Sequence, residues 1–267
     1  MRMIKRALAI AVMVLASFSA SAGLINVGGV VWDPDDGADL RGGSAIIYQQ
    51  INILTLELSG YGRLTSINGY ADICPGCELS YQFGGYTISA DAAAAGDTNF
   101  KGGWMEFWVD TSPDILTVTD QEKLTLQNTG GSDDDGDNLL WLALRGHIFA
   151  GDETTFIGSS SLTGLLNGAG ALDVVGGVAM WNFDTNMWPL SNGSMTDIVF
   201  SGDFDSWSNG WVVNGVTQDS FDESGTAVRY STGSADFHGY SIPEPNTLGI
   251  FALGLILLAF GVRIKKV

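Results

Sequence analysis

The residues best suited to hold a metal ion lie in an aspartate- and glycine-rich loop. Asp133, Asp135 and Asp137 occupy alternate positions around Gly136. Carboxylate oxygens spaced in this way suit Ca²⁺, which takes about six to eight oxygen ligands. The EF-hand pattern fails, because Gly136 comes before the position at which the loop needs glycine and Leu144 stands where a bidentate glutamate belongs. We therefore predict calcium at the three aspartates, with a solvated, turn-forming loop as the alternative and no cofactor required.

The two cysteines of the chain are close together, in the run Cys74-Pro75-Gly76-Cys77. In an oxidising compartment they are predicted to form a disulfide across a tight turn. Proline at the second position and glycine at the third are the preferences of a type II turn. A thioredoxin-like redox pair is the alternative, but the βαβ context that accompanies such a pair is missing.

Tryptophans and carboxylates share one face of the alternating segment at residues 104–110. Trp104 and Trp108 point the same way, and exposed rings of this kind stack on sugars, so they are predicted as a carbohydrate platform. Packing inside the protein is the alternative for these rings. Glu106 and Asp110 lie on that face too, but four residues span about 13 Å along a strand. This separation exceeds the carboxylate spacing of either class of glycoside hydrolase.

Other enzyme signals are weak. His147 and His238 are the only histidines, and neither lies in a nucleophile motif, so both are predicted to be structural or surface residues. The sequence patterns of serine hydrolases, zinc proteases and phosphate-binding loops are absent. We predict that the protein is not an enzyme. A secreted polysaccharide-active enzyme, resembling glycoside hydrolases, is the alternative.

Strand patterns dominate the elements that must position these residues. Branched apolar side chains are frequent at residues 44–60, strict alternation marks residues 104–110, and a further strand is predicted at residues 174–184. Glycine pairs separate these segments as turns or bulges. A single helical turn is predicted at residues 91–95. The expected fold is all-β, an antiparallel β-sandwich or jelly roll.

The C-terminal segment has three parts. Pro243, Glu244 and Pro245 form a turn that no helix can run through, because proline fixes its own φ and restricts the preceding residue. Residues 246–262 carry no charge and are just long enough for a transmembrane helix. Basic residues follow at 263–266 and are expected to stay cytoplasmic, which places the preceding chain on the outer face.

This tail resembles those of the PEP-CTERM proteins, found in Gram-negative bacteria that secrete exopolysaccharide. The resemblance covers residues 242–267 and has a basic end in which lysine replaces part of the usual arginine cluster. It implies that an exosortase, an integral-membrane cysteine protease, recognises and cuts the tail. The resemblance therefore implies transient anchoring in the inner membrane, followed by delivery to the cell surface or extracellular matrix.

The N-terminus also predicts export. Basic residues precede a short apolar run, and small residues at 20–22 suit signal peptidase, so residues 1–22 are predicted as a signal peptide. Residues 23–241 form the predicted ectodomain, and residues 242–267 the sorting tail. The ectodomain holds six of the 12 Lys and Arg and 29 of the 30 Asp and Glu, a formal charge of −23.

This charge disfavours nucleic acid and favours solubility, divalent cations and cationic partners. The function predicted from the sequence is association with exopolysaccharide, in adhesion or in the structure of a biofilm or floc.

Overall fold

The computed structural model describes residues 23–34, 40–52, 54–94, 98–111, 113, 139–151, 153–160, 166–204, 212–213, 216–217 and 228–242 of the 267-residue chain. Within these residues, strands predominate and helices are short, which confirms the prediction of an all-β protein. The strands are β1 (Ile25–Val27), β2 (Val30–Trp32), β3 (Leu40–Asn52), β4 (Glu57–Leu64), β5 (Glu78–Thr87), β6 (Asn99–Asp110), β7 (Leu139–Gly146), β8 (Thr154–Ser160), β9 (Leu166–Gly176), β10 (Trp188–Pro189), β11 (Met195–Thr196), β12 (Ile198–Phe204), β13 (Val212–Val213), β14 (Val216–Thr217) and β15 (Val228–Gly239). The helices are α1 (Ala90–Ala94) and α2 (Met180–Phe183).

Nine strands form one antiparallel sheet in the order β12-β15-β3-β4-β5-β6-β7-β9-β8. β12 also pairs with β9, so the hydrogen-bonded order returns to its own start and the sheet closes on itself. β8 is added beside β9 and also pairs with β6. The three remaining pairs, β1–β2, β10–β11 and β13–β14, are separate two-stranded sheets. The sandwich or jelly-roll arrangement predicted from the strand pattern is not confirmed.

Two predicted β segments are interrupted. Residues 44–60 form two strands rather than one, because the side-chain oxygen of Asn52 accepts the backbone N–H groups of Leu54 (2.9 Å) and Thr55 (3.1 Å). Such local bonds compete with the ladder of a strand. The strand predicted at residues 174–184 ends at Gly176, and α2 follows. The chain leaves the sheet at Gly177, whose φ is +94°.

The side chains of β6 alternate between two faces, as the sequence predicted, and the structure shows which face fills the core. Met105 and Phe107 are 1% and 0% exposed, whereas Trp104 and Trp108 lie on the opposite face and are partly exposed. The ring of Phe107 packs against Tyr81 (5.4 Å between centroids) and Phe237 (5.4 Å), which come from β5 and β15. Aromatic rings at these distances stabilise a core beyond the area that they bury. The interior of the closed sheet is therefore an aromatic core.

The phenol of Tyr86 belongs to the same core. Its ring centroid lies 5.6 Å from that of Phe156, and the ring of Phe156 stacks on Phe200 at 5.5 Å. Burial raises the pKa of the Tyr86 phenol above its usual value, because the charged phenolate would lose its hydration. The side chain is therefore neutral at physiological pH.

A second group of rings extends the core at β7. Trp141 is fully buried, because Trp32 of β2 and Phe183 of α2 pack against it at 5.8 and 5.5 Å, and its ring also lies 6.3 Å from that of Phe107. The indole N–H of Trp141 donates to the carbonyl of Val27 (3.0 Å), which fixes the β1–β2 hairpin on the sheet. We call Trp32, Trp141 and Phe183 the Trp32 cluster.

Residues 241 and 242 are held at this Trp32 cluster. The indole N–H of Trp32 donates to the Ser241 hydroxyl (3.1 Å), and the backbone N–H of Ile242 donates to the carbonyl of Asn182 (2.7 Å). These two hydrogen bonds therefore tie Ser241 and Ile242 to the rest of the described structure. Residues 1–22, the motif Pro243-Glu244-Pro245 and the predicted helix at 246–262 lie outside the described residues. Among the helices that are described, none has the length and apolar character needed to cross a membrane.

Buried Asp197 joins β9 to the loop before β10. Its carboxylate is 1% exposed and accepts the backbone N–H groups of Val174 (2.8 Å) and Thr185 (2.7 Å). The N–H of Asn186 donates to the same oxygen as that of Thr185. A carboxylate that accepts several backbone N–H bonds satisfies donors that would otherwise be buried without a partner. This bonding positions the β10–β11 hairpin over the sheet.

Candidate functional site

The predicted disulfide is present in the structure. The Sγ atoms of Cys74 and Cys77 are bonded, with the Cα atoms 5.0 Å apart. The backbone N–H of Cys77 donates to the carbonyl of Cys74 (3.0 Å), and Gly76 has a φ of +80°. This is the positive φ that the third residue of a type II turn requires. The bond therefore closes a tight turn, next to the β1–β2 hairpin, where Gly29 approaches Cys77.

Trp104 and Trp108 share a face, as predicted, but neither ring is fully exposed. The indole of Trp104 lies so close to Gly84 and Gly85 that an added Cβ would come within 3.0 and 2.9 Å of it. The indole nitrogen of Trp108 is buried and finds no hydrogen-bond partner in the described part of the chain. Between the two rings, Glu106 approaches Arg145 (Oε1 to Nη1, 3.9 Å). These rings offer a sugar only part of their surface.

A pocket on the outer face of β9, β12 and β15 gives a clearer candidate site. Its volume is about 240 Å³. The cross-strand pairs Ser201↔Asp236 and Val199↔His238 place four of its side chains on neighbouring strands. The lining residues are Phe149, Ala169, Gly170, Ala171, Leu190, Val199, Phe200, Ser201, Asp236 and His238. An apolar concave surface with a few polar groups is the usual form of a ligand site.

His238 of the pocket lining belongs to a group of three rings with Trp188 and Tyr240, which we call the ring cluster. Trp188 of β10 packs on His238 at 5.7 Å and on Tyr240 at 5.4 Å between ring centroids. His238 and Tyr240 are two residues apart, so they lie on one side of the chain at the end of β15. Asp236 approaches His238 (Oδ2 to Nε2, 3.3 Å). The ring cluster therefore combines flat apolar surface with carboxylate, imidazole and hydroxyl groups.

A hydrogen-bonded chain of three side chains lies beside the same pocket. His147 Nδ1 is 2.7 Å from Asp173 Oδ2, and His147 Nε2 is 3.0 Å from Ser194 Oγ. Thr196 Oγ1 lies 3.1 Å from Asp173 Oδ1 and 2.7 Å from the carbonyl of Leu172, so these two acceptors share its single hydroxyl proton. The three residues come from the end of β7, from β9 and from the turn between β10 and β11. We call Asp173, His147 and Ser194 the side-chain relay.

Backbone bonds hold each member of the side-chain relay. The N–H of His147 donates to the carbonyl of Ala171 (2.8 Å), which extends the pairing of β7 with β9. Ser194 closes a tight turn in which Leu190 N donates to Ser194 O (2.9 Å) and Gly193 N donates to Leu190 O (3.0 Å). Gly193 has a φ of +87°, a conformation that glycine adopts without strain. The serine is thus presented by a rigid turn.

Sequence reasoning treated His147 as a structural or surface residue and missed the side-chain relay. Its members are far apart in the chain, and no short motif links them. The only available signal was the pairing of β7 with β9, which places Arg145 opposite Asp173 and so brings His147 near that aspartate. Strand partners could not be assigned from the alternation pattern.

Metal binding receives no structural support at the described positions. Within the described ranges, no group of three or more His, Cys, Asp or Glu side chains could hold a metal ion. The predicted calcium ligands Asp133, Asp135 and Asp137 lie outside the described residues. Calcium at that loop therefore stays a prediction.

Comparison with known proteins identifies the tail. Residues 241–266 match the family model of the PEP-CTERM protein-sorting motif, which confirms the resemblance at the C-terminus. The chain matches no curated protein and no solved structure. The motif marks the chain as a surface or secreted protein targeted to an exosortase, and it carries no information on what the ectodomain binds.

Proposed function

We propose that this exosortase-targeted protein acts at the cell surface or in the extracellular matrix by binding exopolysaccharide. In this proposal, signal peptidase removes residues 1–22, the tail anchors the protein transiently in the inner membrane, and the exosortase releases it. The ectodomain then contributes to adhesion or to the structure of a biofilm or floc. The observation that carries the binding function is the ring cluster beside the outer pocket.

The ring cluster has the two properties that sugar recognition needs. The exposed parts of the Trp188 and Tyr240 rings can pack against the apolar C–H face of a sugar ring, while the hydroxyl groups of the sugar can bond to Asp236 and His238. The pocket, of about 240 Å³, lies on the outer face of the sheet rather than in its core. This placement allows a long polymer to bind without entering the protein.

The charge of the ectodomain narrows the choice of polysaccharide. A formal charge of −23 repels polyanions. We therefore expect the partner to be a neutral polysaccharide, or an acidic one whose carboxylates are bridged by divalent cations. Calcium would then act at the interface, whether or not the loop at residues 133–137 holds an ion of its own.

Replacing Trp188 by alanine should weaken binding of soluble exopolysaccharide about tenfold or more, because truncating a central aromatic contact costs more than about 1.4 kcal/mol. The measurement is affinity electrophoresis with exopolysaccharide from the bacterium that produces the protein. Trp181→Ala is the matched control, since Trp181 is 77% exposed and lies outside the ring cluster. Equal binding by Trp188→Ala, Trp181→Ala and the unmodified protein would rule out the ring cluster as the sugar site.

The Trp104 and Trp108 platform predicted from the sequence is tested in the same experiment. A Trp104→Ala and Trp108→Ala double variant should bind as the unmodified protein does, because the indole of Trp104 packs on Gly84 and Gly85 and the indole nitrogen of Trp108 is buried. If only this double variant loses binding, the sugar site lies on β6 instead.

Changing Pro243, Glu244 and Pro245 together to alanine should keep the protein in the inner-membrane fraction with its tail intact. The motif is the part of the tail that the exosortase is expected to recognise, while residues 246–262 would still anchor the chain. Cell fractionation and intact mass of the protein in each fraction are the measurements. An unchanged distribution, or an extracellular form of unchanged mass, would contradict sorting through this motif.

A further inference from the structure

We propose that the side-chain relay of Asp173, His147 and Ser194 is a nucleophilic centre that hydrolyses carboxylic esters with short acyl groups. The proposal goes beyond the binding function and does not depend on it. It also departs from the sequence-based expectation of a protein without enzymatic activity. A carboxylate, an imidazole and a hydroxyl hydrogen-bonded in that order are the parts of serine-dependent acyl transfer, which is recognised by geometry rather than by sequence order.

The hydrogen bonds fix the tautomer of His147. Nδ1 faces the carboxylate of Asp173 at 2.7 Å, so Nδ1 must carry the proton. In the neutral ring, Nε2 then presents a lone pair to Ser194 Oγ at 3.0 Å. This distance lies within the range for a general base that accepts the proton of its nucleophile.

The hydroxyl proton of Ser194 has a second acceptor. Asn192 Oδ1 lies 2.7 Å from Ser194 Oγ and also accepts the backbone N–H of Ser194 (2.9 Å). While the Ser194 hydroxyl donates to Asn192 Oδ1, it does not donate to His147 and is not activated. Rotation of the hydroxyl toward His147 gives the reactive arrangement, which needs no movement of any heavy atom.

The surroundings of the side-chain relay give access to a substrate. The side chains of His147 and Asp173 are 18% and 38% exposed, and Ser194 is partly exposed. The turn that carries Ser194 also contributes Leu190 to the outer pocket, and Ala171, which bonds the backbone of His147, lines the same pocket. The apolar wall formed by Leu190 and Ala171 suits a short acyl chain.

The reaction proceeds in two balanced steps. Ser194 Oγ bonds to the acyl carbon while His147 Nε2 takes the hydroxyl proton; the bond from that carbon to the alcohol oxygen then breaks, and the alcohol leaves with the proton from Nε2. Water next gives a proton to Nε2 and its oxygen bonds to the acyl carbon. The bond to Ser194 Oγ breaks, the serine regains the proton, and the carboxylic acid is released.

Turnover should be slow. The backbone N–H groups of Gly193 and Ser194 are both engaged, by Leu190 O and by Asn192 Oδ1, so they do not stabilise an oxyanion. Loss of one such donor costs about 10²–10³ in rate in enzymes that depend on it. We therefore expect activity on activated aryl esters, whose leaving group needs little protonation.

The test is covalent labelling of the purified full-length protein by a fluorophosphonate, in the absence of polysaccharide, with the modified residue identified by mass spectrometry. We expect the label on Ser194 and hydrolysis of p-nitrophenyl acetate above the buffer rate. The Ser194→Ala variant should not be labelled, and its rate of p-nitrophenyl acetate hydrolysis should be lower by at least about tenfold. His147→Gln should lower both, because the general base is gone.

Ser191→Ala is the matched control, since Ser191 is an exposed serine of the same turn outside the side-chain relay, and it should keep both activities. Absence of label on Ser194 in the unmodified protein would overturn the proposal, and this result does not depend on whether any variant folds. Hydrolysis by Ser194→Ala at the unmodified rate would overturn it too. Polysaccharide binding is measured in a separate experiment. If the protein does not bind polysaccharide, the results for labelling and ester hydrolysis at Ser194 still stand.

Discussion

Replacing Asp197 by alanine is expected to lower the free energy of unfolding by about 3 kcal/mol or more, because removing one partner of a buried, charge-assisted network leaves the other partners desolvated and unsatisfied. The carboxylate is buried and accepts backbone N–H groups from Val174, Thr185 and Asn186. Alanine would leave all three donors without their acceptor and would open a small cavity. Urea denaturation, monitored by tryptophan fluorescence, gives the difference in the free energy of unfolding between the variant and the unmodified protein.

Two further substitutions make the Asp197 result specific. Asp197→Asn should have an intermediate effect, since the amide retains one oxygen but turns its NH₂ group toward one of the backbone donors. Asp184→Ala removes an exposed carboxylate nearby and should change stability by less than about 0.5 kcal/mol. Equal stability of Asp197→Ala and Asp184→Ala would show that the buried carboxylate does not hold the loop before β10.

Replacing Gly177 by alanine is expected to have an effect of similar size, about 3 kcal/mol, since backbone strain and a backbone clash act together. Gly177 has a φ of +94°, and an added Cβ would lie 2.4 Å from the carbonyl oxygen of Trp141 and 2.7 Å from Leu142 Cα. Neither backbone atom can move without disturbing β7. Thermal unfolding should show a fall in Tm of about 6–12 °C for a domain of this size.

The Gly69→Ala variant separates the effect of backbone strain from that of the backbone clash. Gly69 has a φ of +76°, but no atom lies within 4 Å of an added Cβ. Strain acts alone there, so the expected cost is about 1 kcal/mol. If Gly177→Ala and Gly69→Ala lower Tm equally, the close approach of Gly177 to β7 does not contribute to stability.

The path of the chain at Gly177 also shows why one strand prediction failed. Residues 174–184 contain apolar side chains that suit a strand. At Gly177 the backbone turns away from the sheet, and Val178 N and Ala179 N donate to carbonyls of Leu140 and Trp141. Here the contact between two distant segments overrides local β propensity, as is common for short apolar runs.

Predictions from the sequence were correct where the structure of a short segment depends only on the residues within that segment. Alternation assigns Met105 and Phe107 to one face of a strand, because successive side chains point to opposite faces, and the structure buries that face. The Pro75-Gly76 pair suits the turn that Cys74 and Cys77 close, because each residue favours the φ that its position requires. The single helical turn predicted at residues 91–95 is close to the observed α1.

The sequence by itself determined the class of the fold and the destination of the protein. Strand periodicity depends on neighbouring residues only, and the PEP-CTERM motif is a contiguous signal that an exosortase is expected to bind as a linear segment. Neither requires knowledge of which distant residues meet. Both could therefore be inferred before any tertiary structure was considered.

The tertiary structure alone decided where the candidate sites lie. Pairing of β12 with both β9 and β15 closes the sheet and creates the outer pocket, and the β10–β11 turn brings Ser194 to His147. These contacts join residues that are tens of positions apart. Their free energy comes from burial and from hydrogen bonds such as those of Asp197, which local patterns do not encode, because many strand pairings share the same alternation.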